Sequence, residues 1–226
     1  TSGGNYGIRM NTLRNGGITT DAGDMIITAT GAIDTTGDDN IGILMEGPAD
    51  NSPGIISTSG AIGIIATGSA KVAGGNGNIG ISMTNSSNDS SYLIETSGAI
   101  DITANGAGSG SGSGNVGLFL GNTSEITSTS SDMAIDARGE GLAGDCVGVL
   151  IEGNGSEIHA NGVLIMTAIG SDSTGATGGG NYGIRMNNLR NGGITTDAGD
   201  MTIAAAGAID TTGNDNIGIF MDGTAS

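Results

Sequence analysis

The chain has 226 residues, of which 46 are glycine and only 2 are proline, and aromatic residues make up 2% of it. The glycines follow no period of three, which excludes collagen, and the shortage of aromatic residues predicts a core of Ile, Val, Leu, Met and Ala. A net charge of −17 disfavours binding to nucleic acid and to an anionic membrane surface.

A long repeat links the two ends of the sequence. Residues 3–49 recur almost unchanged as residues 179–225, displaced by 176 positions, and about eight of the 47 aligned positions differ. Such near-identity indicates tandem duplication. We therefore interpret residues 1–226 as one continuous segment of a longer repetitive chain.

A shorter unit lies inside the long one. The pattern Asn–apolar–Gly–apolar–x–apolar begins at Asn5, Asn40, Asn78, Asn115, Asn181 and Asn216, and Cys146 takes the Asn position in one further copy. The copies are 31–38 residues apart, so five short units make one long unit of 176. A period of this length is typical of stacked supersecondary units.

Each short unit carries three apolar segments, and the first and third alternate with period two. The first segment reads Ile41, Ile43 and Met45 on one parity, with Gly on the other. The second is a short Ile-Thr stretch, anchored at Ile18, Ile56, Ile94, Ile126, Ile158 and Ile194. The third repeats the type of Met25, Ile27 and Ala29. This alternation predicts strands with one buried face, and no window has the 3.6-residue period of a helix.

Three short strands and three turns per unit close into one coil of a parallel β-solenoid. The predicted fold is all-β, with about three strands per 31–38-residue coil and about six coils. Equivalent strands would stack about 4.8 Å apart, which places identical residues in columns. No apolar run reaches the ~18 residues needed to cross a bilayer, so we expect no transmembrane segment.

The Asn column predicts a structural ladder. Asn side chains at one corner of successive coils can pass amide hydrogen bonds along the stack, through Asn5, Asn40, Asn78, Asn115, Asn181 and Asn216. Cys146 is interpreted as a small buried thiol in a gap of this ladder, the alternative being a reactive or cross-linking thiol. The neighbouring Gly column, at 7, 42, 80, 117, 148, 183 and 218, is expected on the outer parity. Gly at these positions indicates either that the backbone bends there or that the column forms a flat face that another chain or a ligand can approach closely.

Runs such as TSGAIDITANG, TTDAGDMIITATGAID and NIGISM resemble the repeats of large secreted bacterial adhesins. These are proteins of the filamentous-haemagglutinin and autotransporter-passenger type, which are built as right-handed parallel β-helices. The resemblance implies an extracellular protein on a bacterial surface. It implies no active site.

Three groups of residues are the candidates for chemistry. Asp38, Asp39 and Asp215 lie in turns and supply oxygen atoms that suit Ca²⁺, although solvating charge is the simpler explanation for them. Asp101 and Asp136 fall on the outward parity of one sheet, where two carboxylates could serve glycoside hydrolysis. His159 lies among outward polar positions, so we expect a solvated surface residue. No cofactor is predicted.

The leading hypothesis is a structural one: a fibre, stalk or sheath segment of a giant extracellular protein, without catalysis, continued by further repeats or by self-association. An alternative is an adhesin that binds glycans or a partner surface through its lateral face. The outward residues Leu44, Phe119, Leu150 and Phe220 form an apolar stripe suited to either contact. A polysaccharide-processing enzyme is the third and weakest hypothesis.

Overall fold

The computed structural model describes residues 4–11, 16–33, 37–47, 54–69, 75–85, 91–107, 112–171, 177–209 and 213–223. Nineteen strands, joined by turns and bends, make up these ranges, and they contain no helix. A membrane-spanning helix is accordingly not found among the described residues. The all-β prediction is confirmed.

The strands form three parallel sheets, each built from every third strand along the chain. Sheet A contains β1 (Tyr6–Asn11), β4 (Ile41–Gly47), β7 (Ile79–Asn85), β10 (Val116–Gly121), β13 (Val147–Glu152), β16 (Tyr182–Asn187) and β19 (Ile217–Asp222). Sheet B contains β2 (Gly17–Thr20), β5 (Gly54–Ser57), β8 (Leu93–Thr96), β11 (Glu125–Ser128), β14 (Glu157–Ala160) and β17 (Gly193–Thr196). Sheet C contains β3 (Met25–Ala32), β6 (Ile62–Ser69), β9 (Ile100–Ala107), β12 (Met133–Arg138), β15 (Leu164–Ser171) and β18 (Met201–Ala208).

One coil is therefore one strand of each sheet, and we number the coils 1 to 6, from β1–β3 to β16–β18, with β19 beginning a seventh. Every neighbouring pair is parallel and in register, so that Ile43 pairs with Ile8 below and Ile81 above. The chain is a parallel β-solenoid of the predicted kind, with about three strands per coil. Hydrogen bonds between coils run along its axis because the strands lie across that axis.

The core consists of stacked aliphatic and methionine side chains. In sheet A, Ile43 and Met45 are fully buried, and in sheet C the same holds for Ile62 and Ala66. The corresponding residues of neighbouring coils lie directly above and below them. Each such side chain contributes about 1.5–3 kcal/mol when it leaves water, and these columns oppose the entropy cost of ordering a glycine-rich chain.

One detail of the strand prediction is wrong, and the structure distinguishes between the two interpretations of the Gly column. In β5 the buried residue is Ile55, which pairs with Ile18, whereas Ile56 faces outward and pairs with Thr19. The Gly column of sheet A is not on an open outer face. A Cβ added at Gly42 would lie 2.6 Å from the carbonyl oxygen of Gly80 and 2.7 Å from the backbone nitrogen of Thr67 in sheet C.

Sheets A and C therefore approach each other backbone to backbone at this corner. A second Gly column, in sheet C, completes the contact, because a Cβ at Gly31 would lie 2.7 Å from the backbone nitrogen of Ile41. Only a residue without a side chain fits there. Of the two interpretations of the Gly column, the geometry agrees with backbone accommodation.

Candidate functional site

The Asn residues stack at the corner that precedes sheet A. Asn5 Nδ2 donates to Asn40 Oδ1 (2.7 Å), Asn40 Nδ2 donates to Asn78 Oδ1 (2.8 Å), and Asn78 Nδ2 donates to Asn115 Oδ1 (3.1 Å). Above the cysteine, Asn181 Nδ2 donates to Asn216 Oδ1 (2.8 Å). The same oxygens also accept backbone N–H groups, as Asn78 Oδ1 does from Asn40. These bonds tie each corner to the next.

Cys146 interrupts the chain of amide contacts. Its backbone N–H still donates to Asn181 Oδ1 (3.1 Å), but its thiol points to the carbonyl of Gly144, and Asn115 Nδ2 donates to the carbonyl of Glu140 instead. The residue is fully buried. Burial raises the pKa of the thiol to about 11, with nearby backbone N–H groups of Asn115 and Gly114 acting in the opposite direction. A thiol in this state is protonated at neutral pH and a poor nucleophile.

The calcium candidates lie in the turn just before the Asn ladder. Asp39 and Asp215 both have left-handed backbone, with φ of 57° and 59°, a conformation that short polar residues tolerate. Asp38 Oδ1 accepts the backbone N–H of Asn76 in the next coil at 2.7 Å. Among the described residues, no group of three or more His, Cys, Asp or Glu side chains is placed to hold a metal ion.

The four residues of the predicted lateral stripe do share one column on the outer side of sheet A, but they are not equally exposed. Leu44 is only 4% exposed, so the expectation that it lies open to a partner is wrong. Phe119, Leu150 and Phe220 are part-buried. Phe220 packs its ring against Tyr182, with centroids 5.5 Å apart.

The possible carboxylate pair is separated by coil and by position along the strand. Asp101 pairs with Ala134, and Asp136 pairs with Thr103. Asp136 is also held by Arg138, whose Nε donates to Asp136 Oδ1 at 3.0 Å. The ion pair with Arg138 fixes the direction of the Asp136 carboxylate.

His159 belongs to a polar cluster that the sequence did not reveal. Its Nδ1 lies 2.9 Å from Thr195 Oγ1, and its Nε2 lies 3.4 Å from Asp197 Oδ2. The side chain is 22% exposed rather than fully solvated. The register of β14 with β17 pairs His159 with Thr195, so the cluster joins coils 5 and 6.

This cluster resembles a hydrolytic triad only in composition. Thr195 Oγ1 donates its one hydrogen to Glu157 Oε1 at 2.7 Å, so it cannot also donate to His159, as an activated nucleophile must. Glu157 lies near one ring nitrogen of His159 and Asp197 near the other. A single metal ion therefore cannot engage both carboxylates and the ring.

Two further features of the described surface bear on function. On sheet A, a cleft of about 410 Å³ is lined by Phe119, Gly121, Asn122 and Glu152, among others. On sheet C, the outer face carries the exposed side chains Ile26, Ile65 and Ile165.

The strands of sheet C carry few charged residues, although Asp24 and Asp132 line hollows at the edge of their outer face. The six strands contain only three charged residues, Asp101, Asp136 and Arg138, and two of these form an ion pair with each other. Shallow hollows lie over Gly63 and Ala134, between larger neighbours. Three side chains of this face, Ile26, Ile65 and Ile165, are at least half exposed, whereas Leu44 is buried and the other stripe residues are part-buried.

Comparison with known proteins gives no match: no family model, no curated protein and no solved structure matches this chain.

Proposed function

We propose that the chain is a rod-forming structural segment of a large extracellular protein, without catalysis of its own. The observation that carries the proposal is the continuous stacking of equivalent residues along one axis, with every coil hydrogen-bonded to its neighbours. Stability in such an array comes from contacts between adjacent coils, so length can grow without a new core. The resemblance to secreted bacterial adhesin repeats supports a location at a bacterial surface.

Further repeats can continue the stack with the same contacts. The sequence of β19 is almost that of β4, with IGIFMD in place of IGILME, and β4 carries another coil through its pairing with β7. A coil like coil 3 would therefore fit the edge of β19. Each 176-residue unit would add five coils, or about 24 Å of rod length.

We place lateral self-association of the rods on sheet C, with a second copy of this chain as the partner. A net charge of −17 makes like-charged rods repel, and the strands of sheet C, with only three charged residues, have a net charge of −1. Six strands of up to eight residues give this face an area of roughly 600 Å² per partner. About 1,200 Å² in total is at the lower end for a specific interface.

The rod proposal is tested by measuring rod length in the electron microscope. Chains with no, one and two additional 176-residue units are imaged, and rod length is expected to rise by about 24 Å per unit. Strings of separate beads, or particles whose length does not follow the number of units, would overturn the rod proposal.

The lateral contact is tested with two sets of variants. Replacing Ile26, Ile65 and Ile165 together with Ser should reduce side-by-side pairing in sedimentation velocity runs at increasing protein concentration. Replacing Phe119 and Phe220 with Ser tests the stripe on sheet A in the same way. If only the second set abolishes pairing, the contact lies on sheet A and the assignment to sheet C is wrong.

A further inference from the structure

The cleft on the outer side of sheet A arises from a local departure in coil 4. Gly121, in strand β10 of coil 4, belongs to an outward register column of sheet A. The other six strands of the sheet have a side chain in this column: Asn11, Glu46, Thr84, Glu152, Asn187 and Asp222. The missing side chain leaves a hollow between Thr84 below and Glu152 above, its two register partners.

The ring of Phe119 occupies one side of this hollow. Its Cζ and Cε2 atoms lie 3.2 and 3.5 Å from the point where a Cβ on Gly121 would be. The ring is therefore folded over the glycine, in van der Waals reach of the strand, and it remains part-exposed. An aromatic side chain in this position presents a flat apolar surface to a ligand.

Polar groups surround the ring on the side of the next coils. Glu152 accepts a hydrogen bond from Asn187 Nδ2 at 2.9 Å, which orients its carboxylate, and a carboxylate has capacity for further donors. Asn122 and Asn188 are exposed and have left-handed backbone, with φ of 41° and 55°. Both residues line the cleft. Asn122 Nδ2 donates to the carbonyl of Asn85 at 3.4 Å, and a side-chain amide has a second donor hydrogen and an acceptor oxygen.

The size, polarity and charge of the cleft indicate which class of ligand it can bind. Its volume of about 410 Å³ is in the range of ligand sites, ~300–1,000 Å³, but it is open, with one flat apolar wall and a rim of hydrogen-bonding groups. Glu152 and the net charge of −17 repel anions. A neutral pyranose fits these conditions, because its C–H face can pack on the ring while its hydroxyl groups donate to Glu152 and exchange hydrogen bonds with the amides.

We propose that the cleft formed by Phe119, Gly121, Asn122 and Glu152 binds a neutral pyranose unit of a glycan. The rod function does not require this site, and the site does not require long rods. Since the residues of coil 4 occur once per 176-residue unit, a repetitive chain would display one site about every 24 Å. Several weak sites on one rod would raise the overall affinity through avidity.

The test is an NMR titration of the whole chain with methyl β-D-glucopyranoside, methyl β-D-galactopyranoside, methyl α-D-mannopyranoside and N-acetyl-D-glucosamine, one at a time. At least one is expected to shift the amide signals of Gly121 and Asn122, with a Kd on the order of millimolar, the weak end of the affinity scale. The anionic methyl β-D-glucuronopyranoside should bind more weakly than the matching neutral glucoside. Tighter binding of the glucuronide would contradict the charge argument.

Variants test whether the Phe119 ring itself contributes to pyranose binding. Phe119→Ser should weaken binding at least tenfold, Phe119→Trp should retain it, and Gly121→Ala should weaken it because the added methyl group displaces the ring. Phe220→Ser is the matched control, since Phe220 lies in the same column but packs against Tyr182, and it should leave the affinity unchanged.

Thermal unfolding and circular dichroism report whether each variant keeps its fold. The proposal is overturned if no pyranose shifts the signals around Phe119, or if Phe119→Ser binds as the unchanged chain does. Rod length in the electron microscope is measured independently, so failure of this site leaves the proposed rod function standing, and the reverse also holds.

Discussion

Replacing Asn78 with Ala removes the centre of the buried amide ladder. Asn78 Nδ2 donates to Asn115 Oδ1 and to the carbonyl of Gly75, and Asn78 Oδ1 accepts both the backbone N–H and the Nδ2 of Asn40. Four hydrogen bonds are lost, each with a net contribution of about 1 kcal/mol. Asn40 Nδ2 retains the carbonyl of Gly37, but the backbone N–H of Asn40 loses its acceptor at a buried position.

The expected loss is about 3–5 kcal/mol in the free energy of unfolding, since a buried donor without a partner costs about 1–3 kcal/mol by itself. Urea denaturation followed by circular dichroism measures it. Asn191→Ala is the control, because Asn191 also bonds to an Asn of the preceding coil, Asn154, at 3.3 Å, but in an exposed position. It should cost less than about 0.5 kcal/mol. If the two variants lose the same amount, the ladder does not stabilise the stack and the reasoning is wrong.

Three further predictions concern the glycine corner and the cysteine. Gly42→Ala should destabilise the chain by about 3 kcal/mol or more in thermal unfolding, because the new methyl group meets backbone atoms. Gly63→Ala is the control and should be neutral or slightly stabilising, since its Cβ would have its nearest neighbour at 3.9 Å. Equal effects of the two substitutions would contradict the close approach of the sheets. Cys146→Asn should extend the ladder and raise the free energy of unfolding by about 0.5–1.5 kcal/mol relative to Cys146→Ala. If the Asn variant is no more stable than the Ala variant, the corner of coil 5 cannot hold an amide. The pKa of the Cys146 thiol is raised to about 11 from 9.0, so folding favours the protonated form. The contribution of this thiol to the free energy of unfolding is therefore complete below pH 9 and is lost as the pH rises to about 11. Over that interval the unchanged chain should lose roughly 2–3 kcal/mol more than Cys146→Ala, as measured by urea denaturation at several pH values, and parallel pH curves for the two proteins would refute the burial of the thiol.

The fold could be predicted from the sequence because period-two patterns repeat at every coil. Where the pattern is ambiguous, the prediction failed: the pair Ile55 and Ile56 offers two registers, and only the stacking on Ile18 decides between them. The contact of Gly42 with Thr67 depends on how sheets A and C approach each other, which a single strand does not encode. Leu44 is buried although it lies in the outward column of sheet A, and the pattern of its own strand does not indicate this.

The sites were less predictable than the fold. His159 meets Thr195 and Asp197 across 36 and 38 residues of chain, so the cluster is invisible until β14 and β17 are paired. A column-by-column alignment of the coils contains the signal for the cleft, namely a Gly two positions after an aromatic residue in coil 4. The apolar column, considered alone, does not contain this signal.

The most direct test of the central claim is X-ray fibre diffraction from oriented rods of the chain extended by two 176-residue units. A β-solenoid rod has its strands across the long axis, so we expect a reflection near 4.8 Å along that axis. A 4.8 Å reflection perpendicular to the rod, or no oriented reflection at this spacing, would contradict the stacking on which the proposed function depends.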